Sequence, residues 1–351
     1  MAKAKEIEGL DCGAGAARGM GLVLLTRLGE MCEQRAAALG PEGEEGVHDM
    51  RVASRRLRSV LRDFRPYMRA GRRLDAAREE LKRLAGVLGA VRDEDVAIRA
   101  LEKLKREAPE GVAAGLELFA GDRAARREGE RVELARALEE EPFESFRRRV
   151  ALAFEKATAP RRGKRGAGGE GAAGEREGSG SEPGEGGGAG FGEVGRQIIV
   201  RLWEELRSRG PDIYRPLKSG RLHKLRIAAK RLRYALELFA ACYGDALREL
   251  AHELARLQTA LGELHDCDGW VEECAQYLSV RKGADGDARA DAAGLNARRR
   301  EAAFWLLGHF ASKRAGHYRE ALEIWRGWER DDFGSRLADI LNEMMNAATL
   351  N

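Results

Sequence analysis

The chain has 351 residues, enough for one large core or two medium ones, and it is charge-rich, with 62 Lys and Arg against 58 Asp and Glu. A net charge of only +4 excludes a uniformly basic particle, so any polyanion site must come from local clustering of cations. Aromatic residues make up 6% of the chain and eight prolines occur, while good helix formers dominate, which argues against a large sheet.

Periodicity and breaker residues predict helices over about 20–39, stopped by Gly40-Pro41, over 47–64, ending before Pro66, and over 71–89, 93–105, 111–127 and 130–157. Residues 161–190 then carry thirteen glycines and no aromatic or large aliphatic side chain. Such a segment cannot repay the entropy of ordering itself and is expected to be a flexible linker or disordered insertion. Helical text resumes over 193–209, 218–241, 243–263 and 268–278, breaks at the polar stretch 281–294, and continues over 296–326. A last amphipathic helix over 333–345 is expected to cover an apolar surface. Acidic residues interrupt the approach to the short apolar patch near the N-terminus, so neither a secretory signal nor a membrane span is expected, and a cytoplasmic location is the default. The five cysteines, Cys12, Cys32, Cys242, Cys267 and Cys274, are odd in number and match no metal-knuckle spacing; small buried side chains are expected rather than a disulfide framework.

The two halves repeat each other. VHDMRVASRRLRSVLRDFRP at 47–66 aligns without a gap with RLHKLRIAAKRLRYALELFA at 221–240 when His48 is set against His223. Arg51 then pairs with Arg226, Arg55 with Lys230, Arg56 with Arg231 and Arg58 with Arg233. Downstream, LAGVLGAVRDEDV from Leu84 and LQTALGELHDCDGW from Leu257 each place a basic or His residue three positions after Leu-Gly, followed by Asp-x-Asp. Two features in the same order at nearly equal spacing indicate duplication. The expected architecture is all-α: two duplicated antiparallel helical bundles related by pseudo-twofold symmetry. The boundaries are a first repeat over 20–158, a Gly-rich linker over 159–190, a second repeat over 191–330 and a C-terminal helical tail over 331–351.

On a helical wheel, His48, Arg51, Arg55, Arg58 and Arg62 form one stripe, with Arg56 at its flank, opposite a core face of Met50, Ala53, Leu57, Val60, Leu61 and Phe64. In the second copy His223, Arg226, Lys230 and Arg233 form the stripe, Glu237 stands where the first copy has Arg62, and Leu225, Leu232, Ala235, Leu236 and Phe239 line the apolar side. Like charges three and four residues apart repel by a few tenths of a kcal/mol per pair, so an acid-free stripe is costly unless an anion occupies it. Guanidinium forks suit phosphate oxygens, and facing stripes would form a groove able to thread a linear polyphosphate. A histidine beside phosphate would gain proton occupancy. The plain alternative is a solvated face, or one neutralised by acids of neighbouring helices. Arg72, Arg73, Lys82, Arg83, Lys218, Arg221, Arg256, Arg299, Lys313, Arg314 and His317 are further basic candidates. Asp93 with Asp95, or Asp266 with Asp268, suit helix caps or anchors for a neighbouring Arg or His better than Mg²⁺ ligands, and no resident metal or other cofactor is expected.

The segments VHDMRVASRRLRSVLRDF and LHKLRIAAKRLRYALELF, with LGAVRDEDV and LGELHDCDGW, resemble the CHAD family, the conserved histidine α-helical domain. The resemblance spans roughly 20–330. It implies two helical bundles about a pseudo-twofold axis, a basic surface that binds inorganic polyphosphate without catalysis, and association with polyphosphate granules or a polyphosphate-metabolising enzyme. The implied binding residues are His48, Arg51, Arg55, Arg56, Arg58, His223, Arg226, Lys230, Arg231 and Arg233, with Arg62 extending the first stripe. Lys230 keeps the charge of an Arg but lacks the planar fork. Competing readings are a nucleic-acid-binding surface and, further off, a phosphohydrolase. Few aromatics are available for base stacking, no Gly-x-x-x-x-Gly-Lys loop occurs, and Gly13-Ala14-Gly15 follows no strand.

Overall fold

The computed structural model describes residues 5–40, 43–159, 189–279 and 290–349. The expected linker over 159–190 lies almost wholly outside the described residues; of the expected polar break over 281–294, residues 281–289 lie outside them and 290–294 belong to the helix that runs on to Arg330. The fold is all-α: α1 (Ala16–Glu33), α2 (Arg35–Leu39), α3 (Gly43–Phe64), α4 (Arg72–Glu107), α5 (Glu110–Ala137), α6 (Glu140–Thr158), α7 (Phe191–Ser208), α8 (Ser219–Tyr243), α9 (Asp245–Ser279), α10 (Ala290–Arg330) and α11 (Phe333–Thr349). Among the described residues there is no strand, only an isolated bridge between Gly15 and Gly190.

Several boundaries differ from those expected. The segments 71–89 and 93–105 form one helix, α4, and 243–263 and 268–278 form one helix, α9. A single helical glycine, Gly89 or Gly262, costs only about 1 kcal/mol. The buried Leu88 and Val91 on one side, and Leu261 and Leu264 on the other, hold the helix through it. The paired aspartates therefore sit mid-helix and are not caps. The break expected near Gly129 falls instead at Leu138–Glu139. Leu138 is fully buried and its carbonyl accepts from Arg35 Nε at 2.8 Å, while Pro142 sits in the first turn of α6, where its missing N–H is tolerated. Pro109 separates α4 from α5, with Ala108 held extended before it.

The order of packing is the same in both halves: α3 on α4 and α4 on α5, then α8 on α9 and α9 on α10. The halves meet through α3 with α8, α5 with α10 and α1 with α7. The anticipated core faces are buried. Met50, Ala53, Leu57, Val60, Leu61 and Phe64 of α3, and Leu225, Leu232, Ala235, Leu236 and Phe239 of α8, all enter one main core that runs through both halves. At its centre Phe64, Phe191 and Phe239 meet with ring centroids 5.1–6.3 Å apart. Each such ring contributes about 1.5–3 kcal/mol of burial. A smaller core lies elsewhere between α4, α5, α9 and α10, built around Leu101, Leu116, Cys274, Leu306 and Phe310. The tail helix α11 does cover apolar surface: Phe333 packs on Trp203 and Trp328, and Leu337 and Leu341 are buried.

Two close contacts fix the frame. A Cβ at Gly46 of α3 would lie 2.2 Å from the Ala37 carbonyl carbon, so α2 and α3 meet backbone to backbone. Cys12 and Cys242 form a disulfide, contrary to expectation. Cys12 lies before α1 and Cys242 in the last turn of α8; the fold joins positions 230 residues apart, a pairing that neither count nor spacing could reveal. Of the expected buried thiols, Cys267 and Cys274 are buried on α9 and Cys32 is half-buried. Burial pushes the Cys274 and Cys32 thiols up to about 12 and Cys267 to about 11.

Candidate functional site

Because α3 and α8 bury one face each in the same core, their opposite faces open onto shared space. That space is a cleft of about 770 Å³ walled by α3, α4, α5, α8 and α9. His48, Arg51, Arg55 and Arg58 line it from α3, Arg226 and Lys230 from α8. A narrower continuation of about 250 Å³ shares Arg55, Arg58 and Lys230 with it and adds Arg62 and Arg231. Over the two compartments eleven Arg or Lys side chains face four carboxylates, Glu79, Asp93, Asp266 and Glu273. The local excess of positive charge is thus far larger than the +4 of the whole chain.

The cations differ in what holds them. Arg51 reaches Asp93 at 3.3 Å. Arg62 donates to Asp63 at 3.1 Å and to Ser59 at 3.0 Å. Arg231 is clamped by Glu205 at 2.5 Å and by Asp63 at 3.4 Å. By contrast, Arg55, Arg58, Arg226 and Lys230 have no carboxylate within 4 Å among the described residues. Arg55 instead rests over the Tyr234 ring at 5.9 Å. Its Nε, like that of Arg226, is buried without a hydrogen-bond partner.

The missing counter-charge shows in the acid–base chemistry. Burial, then the neighbouring Arg55, Arg226, Arg62 and Arg51, pull the Lys230 ammonium down from 10.5 to about 8. Burial likewise lowers Arg226 and Arg58. His48 is lowered by burial and by Arg92, and His265 by burial and by Arg226. His223 is lowered by burial and by His265, whose ring lies 4.2 Å away. All three shifts favour the neutral imidazole. Enclosure by the cleft walls raises Asp93 and Asp266 against the pull of Arg51 and Arg226.

Not every residue singled out from sequence reaches the lining. Arg233 is buried, stacks on Tyr234 at 4.8 Å and pairs with Glu237 at 3.4 Å. Glu237, which shortens the second stripe, is thus its partner. Arg56 and His223 line neither compartment. Of the further basic candidates only Lys82 lines either compartment; Arg221 pairs with Asp212, Arg299 with Asp122 and Arg314 with Asp268. The mid-helix aspartates anchor arginines: Asp93 holds Arg51, Asp95 faces Arg127 at 3.6 Å and Asp268 faces Arg314 at 2.5 Å.

Other lining residues were not singled out: Arg78, Arg92, Arg123, His265 and Trp270. For Arg92 and His265 the signal was present, since both occupy the basic position between Leu-Gly and Asp-x-Asp. Arg78, Arg123 and Trp270 are brought in by α4, α5 and α9 and have no signature of their own.

The arrangement is equipped to hold a multivalent anion. Among the described residues no group of three or more His, Cys, Asp and Glu side chains could hold a metal ion. No described helix is long and apolar enough to cross a membrane. In fold the chain is similar to the CHAD domain from the plant Ricinus communis, with a TM-score of 0.66 and 21% identity over 91% of this chain and 94% of that one. It is also similar to PptA from Streptomyces chartreusis, with a TM-score of 0.58 and 14% identity over 89% of this chain and all of that one. No curated protein matches. The model of the CHAD domain matches residues 23–275, well over half of the sequence, and the chain belongs to the CHAD family.

Proposed function

We propose that the cleft binds inorganic polyphosphate as a non-catalytic module. Four cations from two equivalent helices, Arg55, Arg58, Arg226 and Lys230, converge on one cleft with no carboxylate partner among the described residues, and this observation carries the reading. Holding like charges together in this way is costly unless an anion completes the site. Polyphosphate supplies about one charge per phosphoryl unit at a regular spacing, and the CHAD family's role as a polyphosphate-binding domain supports the same ligand. His48, Arg51, Arg62 and Arg231 extend the contact surface, and Arg56, His223 and Arg233 support it from behind. We read the two halves, 20–158 and 191–330, as duplicated antiparallel bundles about a pseudo-twofold axis, joined through 159–190 and followed by a tail over 331–351. The polymer would then carry the protein to polyphosphate granules in the cytoplasm, where a polyphosphate-metabolising enzyme is the natural partner.

The test is a titration with length-defined polyphosphate against DNA and RNA of matched charge at two salt concentrations, with Arg55→Ala and Lys230→Ala. Binding that strengthens with chain length, outcompetes both nucleic acids, weakens with salt and falls in both variants supports the proposal. Equal binding to every polymer would make the cleft a general basic surface open to nucleic acid. No binding to any of them would refute it.

A further inference from the structure

Beside the cleft, divided from it by Arg123, Trp270 and Glu273, lies a second pocket of about 270 Å³ between α5, α9 and α10. Its character is different. Phe119 and Tyr277, both half-buried, meet edge to face at 5.4 Å on its wall. The Trp270 indole is fixed by parallel stacking on Phe310 at 5.1 Å, and the Arg123 guanidinium lies 5.4 Å over the same indole. The charged groups around this pocket are already satisfied within the protein. Arg123 pairs with Glu94 and Glu273, Arg126 with Glu94 at 3.4 Å, and Asp122 with Arg299 at 3.1 Å. One compartment thus offers four cations with no carboxylate within 4 Å among the described residues, and the adjoining one offers fixed aromatic surface with its charges neutralised.

A ligand that matches both carries a row of phosphates ending in a flat aromatic group. We propose that the aromatic pocket receives the base of a nucleoside polyphosphate whose phosphates lie in the cation cleft; this rests on the phosphate-binding reading of the cleft and extends it to the chemistry of the ligand's end. Stacking between aromatic side chains, with an Arg beside them, is the general means by which proteins hold a base. The geometry favours one nucleotide over a nucleic-acid strand. A strand would bring a base at every phosphate, whereas the pocket has room for one. The other aromatic ring on the phosphate path, Tyr234, is already covered by Arg55 and Arg233.

ATP and inorganic triphosphate are the discriminating pair, because they carry nearly the same charge and differ by the nucleoside. Calorimetric titration of the full chain should give ATP an affinity about tenfold higher than triphosphate, the scale of one stacked base. Tyr277→Ala should abolish that advantage and leave triphosphate affinity unchanged. A measurement on the unaltered protein guards against a variant that fails to fold: saturation-transfer NMR should show the adenine H2 and H8 protons in closer protein contact than the ribose protons. Equal affinity for the two ligands, or no transfer to the adenine, overturns the proposal while polyphosphate binding stands. An oligonucleotide that displaces ATP from the pocket more strongly than its charge predicts overturns it in favour of a nucleic-acid surface. Failure of triphosphate, long polyphosphate and ATP alike would mean that the reading of the cleft itself is wrong.

Discussion

Lys230→Met removes the cation that the fold holds at greatest cost. The side chain is half-buried among four arginines with no carboxylate within 4 Å among the described residues, and its pKa falls from 10.5 to about 8. Lys230 is still charged at pH 7, and a displacement of that size corresponds to about 3 kcal/mol of charging cost relative to water. Methionine keeps an unbranched side chain of similar reach, so the empty protein should gain about 1–3 kcal/mol at pH 7, the lower figure allowing for solvent screening. The dependence on pH has a definite sign. Between about pH 8 and 10.5 the folded chain holds fewer protons at this residue than the unfolded chain, so wild-type stability rises through that window and the advantage of the variant shrinks. Urea denaturation at pH 7, 8.5 and 10 without polyphosphate measures both effects. In the presence of long polyphosphate the order should turn around, because the wild type binds more tightly and ligand binding adds stability. A methionine variant less stable at pH 7, or an advantage that is the same at pH 7 and pH 10, would refute the account of an uncompensated charge.

Four further outcomes are expected. Arg55→Ala should weaken polyphosphate binding about tenfold with little change in stability, whereas Arg233→Ala should cost about 1–3 kcal/mol of stability through its Glu237 and Tyr234 contacts and change affinity less; paired denaturation and binding curves separate the two. Asp93→Asn should release Arg51 to the cleft and tighten polyphosphate binding severalfold at low salt, measured by calorimetry. Gly46→Ala should destabilise the chain by about 2–4 kcal/mol, since its methyl group would collide with the backbone of α2; a thermal melt reads this directly. Cys12→Ser should cost about 2–4 kcal/mol under oxidising conditions and nothing when the wild type is measured fully reduced.

Much of this organisation is legible in the sequence because it repeats. The period of apolar residues in 47–64 and 221–240 placed both core faces, and the in-register cations marked the sides that open onto the cleft. What the sequence could not show is which charges find partners. Arg233 and Lys230 sit on the same stripe, yet one lies against Glu237 and Tyr234 while the other faces the cleft with no described carboxylate within 4 Å of it. That difference comes from the roll of α8 against its neighbours, and a wheel drawn on one helix does not contain it. The continuity of α4 and α9 was hidden for a related reason: the buried apolar residues that carry each helix through Gly89 or Gly262 act only when the neighbouring helix is present. Arg123 and Trp270 could not be found because nothing in their local sequence distinguishes them from surface residues. They matter through where α5 and α9 end up.

The contacts of α1 have a bearing on how this architecture tolerates change in length. Thr158, at the end of α6, lies against Gly21, and Phe191, at the start of α7, lies against Gly19. The backbone beside Phe191 is also tied to the stretch before α1 through Ala14 and Cys12. The first half is therefore left and the second half entered within two residues of each other along one helix. The entropy of closing a loop between such neighbouring points grows only with the logarithm of its length, about 0.6 kcal/mol per doubling. Ends that lie this close can accordingly be joined by chains of quite different length at little thermodynamic cost, and the cleft, walled by α3, α4, α5, α8 and α9, does not depend on that choice of length for its framing helices.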